Sequence, residues 1–186
     1  IYCFDENYNL QAATSILSLL RNVDEKIDIE IIHKNKKSFK KYLKIISSEK
    51  FLNKIEIYDF NLENISFPNI SNKHISEATY YRLFIDKIID DKEKFKRAVY
   101  IDSDIICLNN PIDMINNSYE GLQDEKVLLG AKTDSDQNQY HFNYFNAGVL
   151  IFDYCEWTEN EVFENLRKIL KKNEENFQYW DQDVLN

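Results

Sequence analysis

The chain has 186 residues, 44% of them hydrophobic and 14% aromatic, enough apolar material for a domain with a real core and too much for a disordered segment. Thirty-two acidic side chains against 23 basic ones leave a formal charge of −9, which excludes the chain-wide basic field that nucleic acid or anionic lipid would attract. Cys3, Cys107 and Cys155 are odd in number, far apart and without Cys-x-x-Cys spacing, so they read as buried thiols and not as a disulfide framework or zinc site.

The elements follow from hydrophobic periodicity. After the apolar run Ile1-Tyr2-Cys3-Phe4, residues Ala12, Ala13, Ile16, Leu17 and Leu20 recur at helical spacing and predict a helix from about Tyr8 to Asn22. Ile27, Ile29 and Ile31 alternate with Asp28 and Glu30, which is strand periodicity. Phe39, Tyr42, Leu43 and Ile46 return to helical spacing, and Ile55 to Tyr58 reads as another strand. Such β-α-β-α-β alternation predicts an α/β fold, a mostly parallel sheet with helices on both faces, because parallel neighbours need crossover connections. A Ser/Asn stretch around Pro68 leads to a helix from about Ser76 to Asp90, with Tyr81, Phe84, Ile85, Ile88 and Ile89 as its buried stripe. The charged run Asp90 to Lys96 reads as a solvated turn, and Ala98 to Ile101 as a strand buried on both faces. Lys126 to Ala131 and Phe145 to Phe152 give two further strands. Thr158-Glu159-Asn160-Glu161 matches a capping box before the stripe Val162, Phe163, Leu166, Ile169, Leu170, and a last helix begins near Trp180. No repeat or Gly/Pro/Ser linker divides the chain, so one domain over 1–186 is expected. No apolar run approaches the roughly 18 to 20 residues of a membrane span and no basic-then-apolar leader is present, so the chain reads as cytoplasmic. It opens without Met and stops at Asn186, and is expected to be cut at both ends.

The most informative segment is Val99-Tyr100-Ile101-Asp102-Ser103-Asp104, two carboxylates at the carboxyl end of an apolar strand, which is the end where open α/β sheets bind ligands. In an extended chain their side chains would share a face about 6 to 7 Å apart. Two anions beside a core favour a hard dication such as Mg²⁺ or Mn²⁺, which can in turn grip a diphosphate. The alternative is a turn in which Asp102 caps and Asp104 is solvated.

Six segments occur in order: Asp5-Glu6-Asn7-Tyr8, His74-Ile75-Ser76, Thr79-Tyr80-Tyr81-Arg82-Leu83, Tyr100 to Asp104, Phe145-Asn146-Ala147-Gly148-Val149 and Asp181-Gln182-Asp183-Val184-Leu185-Asn186. Together they resemble glycosyltransferase family 8, which includes bacterial lipopolysaccharide galactosyltransferases and glucosyltransferases and glycogenin. The resemblance implies the Rossmann-like nucleotide-diphospho-sugar transferase fold and a retaining hexosyltransferase. It also implies UDP-glucose or UDP-galactose as donor, a saccharide or lipid-linked glycan as acceptor, and Mn²⁺ (or Mg²⁺) on Asp102 and Asp104, with Ser103 between them at the donor.

By the same resemblance, Asp5 and Asn7 match uridine-binding positions, although either could simply cap a helix. Arg82 matches a donor-binding arginine, against a surface pair with Asp86 one turn on. Asn146, Ala147 and Gly148 match the strand edge lining the donor sugar, with a β-bulge as the alternative for Gly148. Asp181 and Gln182 match positions that hold the transferred sugar and face its anomeric carbon, with helix capping as the alternative for Asp181 and with Gln182 either nucleophile or stabiliser. The family's third metal ligand, a His, and a Lys near the diphosphate fall in a motif after the last helix, and His33, His74 and His141 do not match that position. Any membrane contact, peripheral to the inner face, is expected in a C-terminal segment beyond this chain. Two rivals remain at this point. One is a haloacid-dehalogenase-like phosphatase, which also places Asp-x-Asp after a strand; the other is a non-catalytic UDP-sugar-binding paralogue.

Overall fold

The computed structural model describes residues 1–61, 67, 76–89, 95–134, 144–172 and 177–186. Pro68, His74, His141 and most of the charged run Asp90 to Lys96 lie outside them. Strand β1 (Tyr2–Phe4) leads through a 3-10 turn (Glu6–Tyr8) into α1 (Asn9–Asn22), followed by β2 (Ile27–His33), α2 (Lys36–Ile46) and β3 (Leu52–Asp59). This is the β-α-β-α-β opening that periodicity predicts, and β1, β2 and β3 pair in parallel with β2 in the middle. Glu30 departs from the expected alternation: both faces of β2 are covered, so Glu30 is buried along with Ile29 and Ile31.

Strand β4 (Arg97–Ile101) begins a second set, in which β6 (Phe145–Asp153) lies antiparallel between β4 and β5 (Leu129–Thr133). The Ile1 nitrogen donates to the Val99 carbonyl at 2.6 Å, and the Ile101 amide donates to the Ile1 carbonyl at 3.1 Å. Those are the staggered bonds of a parallel ladder, so β1 and β4 join the two sets in the order 3-2-1-4-6-5. The α/β class therefore holds, with the parallel half legible from alternation and the antiparallel half added to it. Strand β1 is the seam of the core. Its Tyr2 and Phe4 pack with α1 and α2 on one face, while Cys3 packs on the other with Tyr80, Tyr81, Phe84, Tyr100 and Leu150.

Three local expectations are corrected. The segment after Ser76 is a 3-10 helix (Glu77–Phe84) continued by one short α-helix, α3 (Ile85–Ile88), instead of one α-helix. It is buried on nearly every side, and the tighter winding aligns residues three apart, which places Thr79 and Arg82 on one line. Helix α4 (Ile112–Glu125) has no counterpart in the sequence reading, because only Leu122 of it is buried and its Asn, Ser and Gly residues favour helix weakly. It runs to a left-handed cap at Lys126 (φ 53°), which delays β5 to Leu129. Thr158 does not stand before a helix but sits inside α5 (Tyr154–Glu159), its hydroxyl donating to the Cys155 carbonyl, and α5 itself is capped by Asp153, which accepts from the Glu156 amide. Helices α6 (Val162–Lys172) and α7 (Trp180–Leu185) complete the chain. Cys3 is buried, whereas Cys107 and Cys155 are half-buried, and all three are free thiols.

Phe39 carries the packing of α2 onto β1, with its ring 5.0 Å from that of Phe4 and 5.4 Å from that of Tyr42. Phe39→Ala is expected to lower the free energy of unfolding by about 3 to 5 kcal/mol, whereas Ile45→Ala, on the exposed side of the same helix, should change it by less than about 0.5 kcal/mol. Urea titrations of the two variants check the contrast, and equal losses would contradict this assignment of the core face.

Candidate functional site

A cleft of about 310 Å³ opens at the carboxyl ends of β1 and β4, walled by the 3-10 helix, the start of β6 and α7. Arg82 is at its base. The side chain is almost wholly buried, and every arm of its fork is committed: Nη2 lies 2.8 Å from Asp102 Oδ1 and Nε 2.8 Å from Asp181 Oδ2, while Nη1 donates to the Ala147 carbonyl. Nε also lies 3.1 Å from the Thr79 carbonyl, and the guanidinium carbon sits 4.2 Å above the Tyr100 ring. Arg82 therefore ties together the 3-10 helix, β4, β6 and α7. Thr79 adds a second hold on Asp181, its hydroxyl donating to Oδ1 at 2.6 Å, a consequence of the three-residue spacing of Thr79 and Arg82 on a 3-10 helix.

Burial works against the charge on Arg82, but Asp181, Tyr100 and Asp102 outweigh it and raise its pKa. For Asp102 and Asp181 burial dominates and pushes both carboxyls above their ordinary range, with Arg82 pulling each back down. Burial likewise pushes the Tyr100 hydroxyl well above its usual value, so it stays protonated and donates to Asp102 Oδ1 at 2.6 Å.

Asp102 and Asp104 do not lie along a strand. The Ile105 amide donates to the Asp102 carbonyl at 3.2 Å, closing a β-turn that starts where β4 ends. This corrects the extended-chain picture in favour of the turn given as its alternative, with Asp104 exposed; both carboxylates nevertheless line the one cleft, and the charge of Asp104 is felt at Asp102. Arg82 neutralises only one of Asp102 and Asp181, so with Asp104 the cleft retains an excess of negative charge. No cluster of three or more His, Cys, Asp or Glu side chains suited to a metal occurs among the described residues. A cation here would have two carboxylates from the chain and would take further oxygens from its ligand.

The β6 edge is shaped by an irregularity. Lys132 and Ala131 are neighbours on β5, yet they pair with Asn146 and Leu150, so Ala147, Gly148 and Val149 bulge from the ladder. The β-bulge reading of Gly148 is thus realised. The absent Cβ also lets two side chains of the chain itself approach, since a Cβ there would stand 3.0 Å from both Asp102 Oδ2 and Asn146 Oδ1. Helix α7 docks on this edge through side-chain amides. Gln182 Oε1 accepts the Ala147 amide at 2.9 Å, and Asn186 accepts from the Phe145 amide and donates to its carbonyl. Trp180 opens α7 in the left-handed region (φ 50°), a strained position for a bulky residue. Asp183 stabilises that entry, with one oxygen accepting the Gln178 and Tyr179 amides at 2.6 and 2.7 Å and the other accepting from the Tyr144 hydroxyl.

Of the residues singled out from sequence, Asp5, Arg82, Asp102, Ser103, Asp104, Asn146, Ala147, Gly148, Asp181 and Gln182 all line this one cleft. Asn7 does not: it is exposed on the 3-10 turn that Asp5 caps, its amide donating to Asp5 Oδ1 at 2.9 Å. His33 is structural. Its Nδ1 accepts the Asn35 amide at 2.8 Å, which leaves Nε2 protonated and facing Asn9 Oδ1 at 3.0 Å, and burial keeps its pKa low. Thr79, Tyr100 and Asp183 were given no role from sequence although they stand inside the recognised motifs. Their partners are identifiable only once the chain is folded.

With the geometry in hand, comparison places the chain among known proteins. The family model described as Glycosyl transferase family 8 matches residues 1–186. The chain is similar to General stress protein A of Bacillus subtilis, 28% identical over 204 residues, covering 100% of the chain and 67% of the relative. It is also similar to the lipopolysaccharide 1,2-glucosyltransferase of Escherichia coli, 26% identical over 206 residues, covering 100% of the chain and 56% of the relative. It thus spans little more than half of that relative. The crystal structure of the galactosyltransferase LgtC in complex with donor and acceptor sugar analogs superposes with a TM-score of 0.83 at 22% identity, covering 100% of this chain and 68% of that one. The expected fold is therefore the one found.

Replacing Arg82 would leave Asp102 and Asp181 buried without their cation. Arg82→Ala is expected to lose about 3 to 5 kcal/mol of stability at pH 8. The sign of its pH dependence follows from the raised carboxyl pKa values. A carboxyl whose folded pKa exceeds its unfolded value binds more protons when folded, so its penalty is full above the folded pKa and fades as pH falls toward the unfolded one. Urea denaturation at pH 8 and pH 5 should therefore show the deficit shrinking at pH 5, and an equal deficit at both would mean that the carboxylates are not the source.

Proposed function

The chain belongs to glycosyl transferase family 8, and we propose that it is the nucleotide-sugar-binding part of a retaining hexosyltransferase moving glucose or galactose from a UDP-sugar to a glycan acceptor. The observation that carries this reading is the convergence of Asp102, Asp104, Arg82, Gly148, Asp181 and Gln182, from segments remote in sequence, on one cleft at the carboxyl ends of the strands. An acidic cleft suits an anionic donor only if a cation intervenes, and the pairing of Asp102 with exposed Asp104 supplies hard oxygen ligands for Mn²⁺ or Mg²⁺. Bound there, a divalent cation would neutralise charge on the departing diphosphate.

The roles of the protein groups follow. Asp5 faces the base and ribose from the end of β1, with Asn7 supporting the turn that holds it. Ser103 lies between the two acids at the diphosphate. Asn146, Ala147 and Gly148 form the edge against which the sugar rests, and the missing Cβ of Gly148 lets the Asp102 carboxylate lie close to that edge. Arg82, pre-oriented by five contacts, offers positive charge that needs no reorganisation during transfer. Asp181, held by Thr79 and Arg82, fixes that arrangement beside the sugar. Gln182 presents its carbonyl oxygen to the Ala147 amide, which supports a stabilising role at the anomeric carbon in preference to nucleophilic attack, for which an amide is poorly suited. In the reaction the bond between the anomeric carbon and the phosphate oxygen breaks. The bond to the acceptor oxygen forms on the same face, and the acceptor proton passes to the departing phosphate. Family membership leaves the phosphatase reading without support.

Asp104 is the cleanest probe, since it is exposed and lies outside the Arg82 network. In the full chain, Asp104→Ala is expected to reduce Mn²⁺-dependent release of UDP from UDP-glucose or UDP-galactose by at least about 100-fold, with thermal stability unchanged. Undiminished turnover would refute the metal assignment. UDP binding without turnover by the unaltered protein would favour a non-catalytic paralogue.

A further inference from the structure

We infer that Tyr100 is a positioning residue which selects the oxygen that Asp102 presents to a cation, an inference that rests on reading Asp102 as a cation ligand. A carboxylate at a strand end can rotate about its terminal torsion and offer either oxygen. Here Oδ1 receives two donors, the Tyr100 hydroxyl at 2.6 Å and Arg82 Nη2 at 2.8 Å, and Oδ2 makes neither bond. Oδ2 lies instead beside Gly148, 3.0 Å from where a Cβ would stand there, and both residues line the cleft.

Tyr100 acts through both parts of its side chain. Its ring lies beneath the guanidinium at 4.2 Å and holds Arg82 in the plane from which Nη2 reaches Asp102, and its hydroxyl closes the triangle. Because Tyr100 is on β4, two residues before Asp102 and 1% exposed, it is as rigid as the sheet. The Arg82 contact alone would leave Asp102 free to pivot about one bond, whereas two donors on one oxygen fix both its rotation and its tilt. Partners of this kind, which hold a ligand without touching the metal, change metal affinity about 10- to 100-fold when removed. Nothing in the motif Tyr100-Ile101-Asp102-Ser103-Asp104 discloses that role from sequence alone, because a tyrosine inside an apolar strand is otherwise core.

The test is Tyr100→Phe, which keeps the ring under Arg82 and removes only the hydroxyl. In the full chain, Mn²⁺ affinity measured by electron paramagnetic resonance in the presence of UDP is expected to weaken about 10- to 100-fold. UDP affinity measured by calorimetry in EDTA should stay at the level of the unaltered protein. Unchanged Mn²⁺ affinity overturns the inference while leaving the metal assignment standing. A parallel fall in both affinities also overturns it, since Tyr100 would then serve folding of the cleft as a whole. Absence of Mn²⁺ binding by the unaltered protein defeats the metal reading itself, and the inference with it.

Discussion

One buried guanidinium holds this cleft in shape. Arg82 comes from a 3-10 helix in the middle of the chain and reaches a carboxylate after β4, a carbonyl on β6 and a carboxylate on α7. Burying such a charge is expensive unless its donors are matched, and here they are matched by groups that no local element could bring together. The Rossmann-like sheet delivers β4 and β6 as neighbours, the β6 bulge turns Ala147 toward the guanidinium, and the amides of Gln182 and Asn186 anchor α7 to the same edge. Remove Arg82 and the remaining contacts hold two carboxylates whose charges have lost their counterion.

The same ion explains why the cleft is not strongly acidic throughout. Asp181 is spent on Arg82 and Thr79, and one oxygen of Asp102 is spent on Arg82 and Tyr100, so the carboxylate capacity left at the cleft mouth is the other oxygen of Asp102 together with Asp104. Burial raises the Asp102 pKa, and the nearby Asp104 adds to it. A dication would reverse both effects, so binding of such an ion would be thermodynamically coupled to ionisation of Asp102. That coupling suits a ligand that arrives bearing a diphosphate, because the two negative partners then share one ion.

How much of this was legible depends on range. Strands β1 to β3 and helices α1 and α2 follow from period because each buries a continuous apolar face, and Asp102 is visible because an apolar strand runs directly into it. Helix α4 was invisible because it barely enters the core, and the antiparallel half of the sheet because pairing direction leaves no trace in alternation. Thr79 and Asp181 are 102 residues apart, so no window along the chain reports their bond. Arg82 shows the same limit: local spacing offers Asp86 as a partner, and the fold supplies Asp102 and Asp181 instead.

Four departures from local rules meet at one place. A 3-10 helix where an α-helix was expected, a turn where a strand seemed to continue, a bulge at Ala147 to Val149 and a left-handed Trp180 all border the same cleft. Each has an identifiable purpose in geometry. The 3-10 winding aligns Thr79 with Arg82, the turn leaves Asp104 lining the same cleft as Asp102, the bulge sets Gly148 against the Asp102 carboxylate, and the strained entry to α7 swings Asp181 inward, with Asp183 holding that entry. Locally unfavourable conformations persist only where surrounding contacts over-determine them. Around this cleft the over-determination converges on one buried ion, the Arg82 guanidinium, which holds Asp102, Asp181 and the Ala147 carbonyl at once.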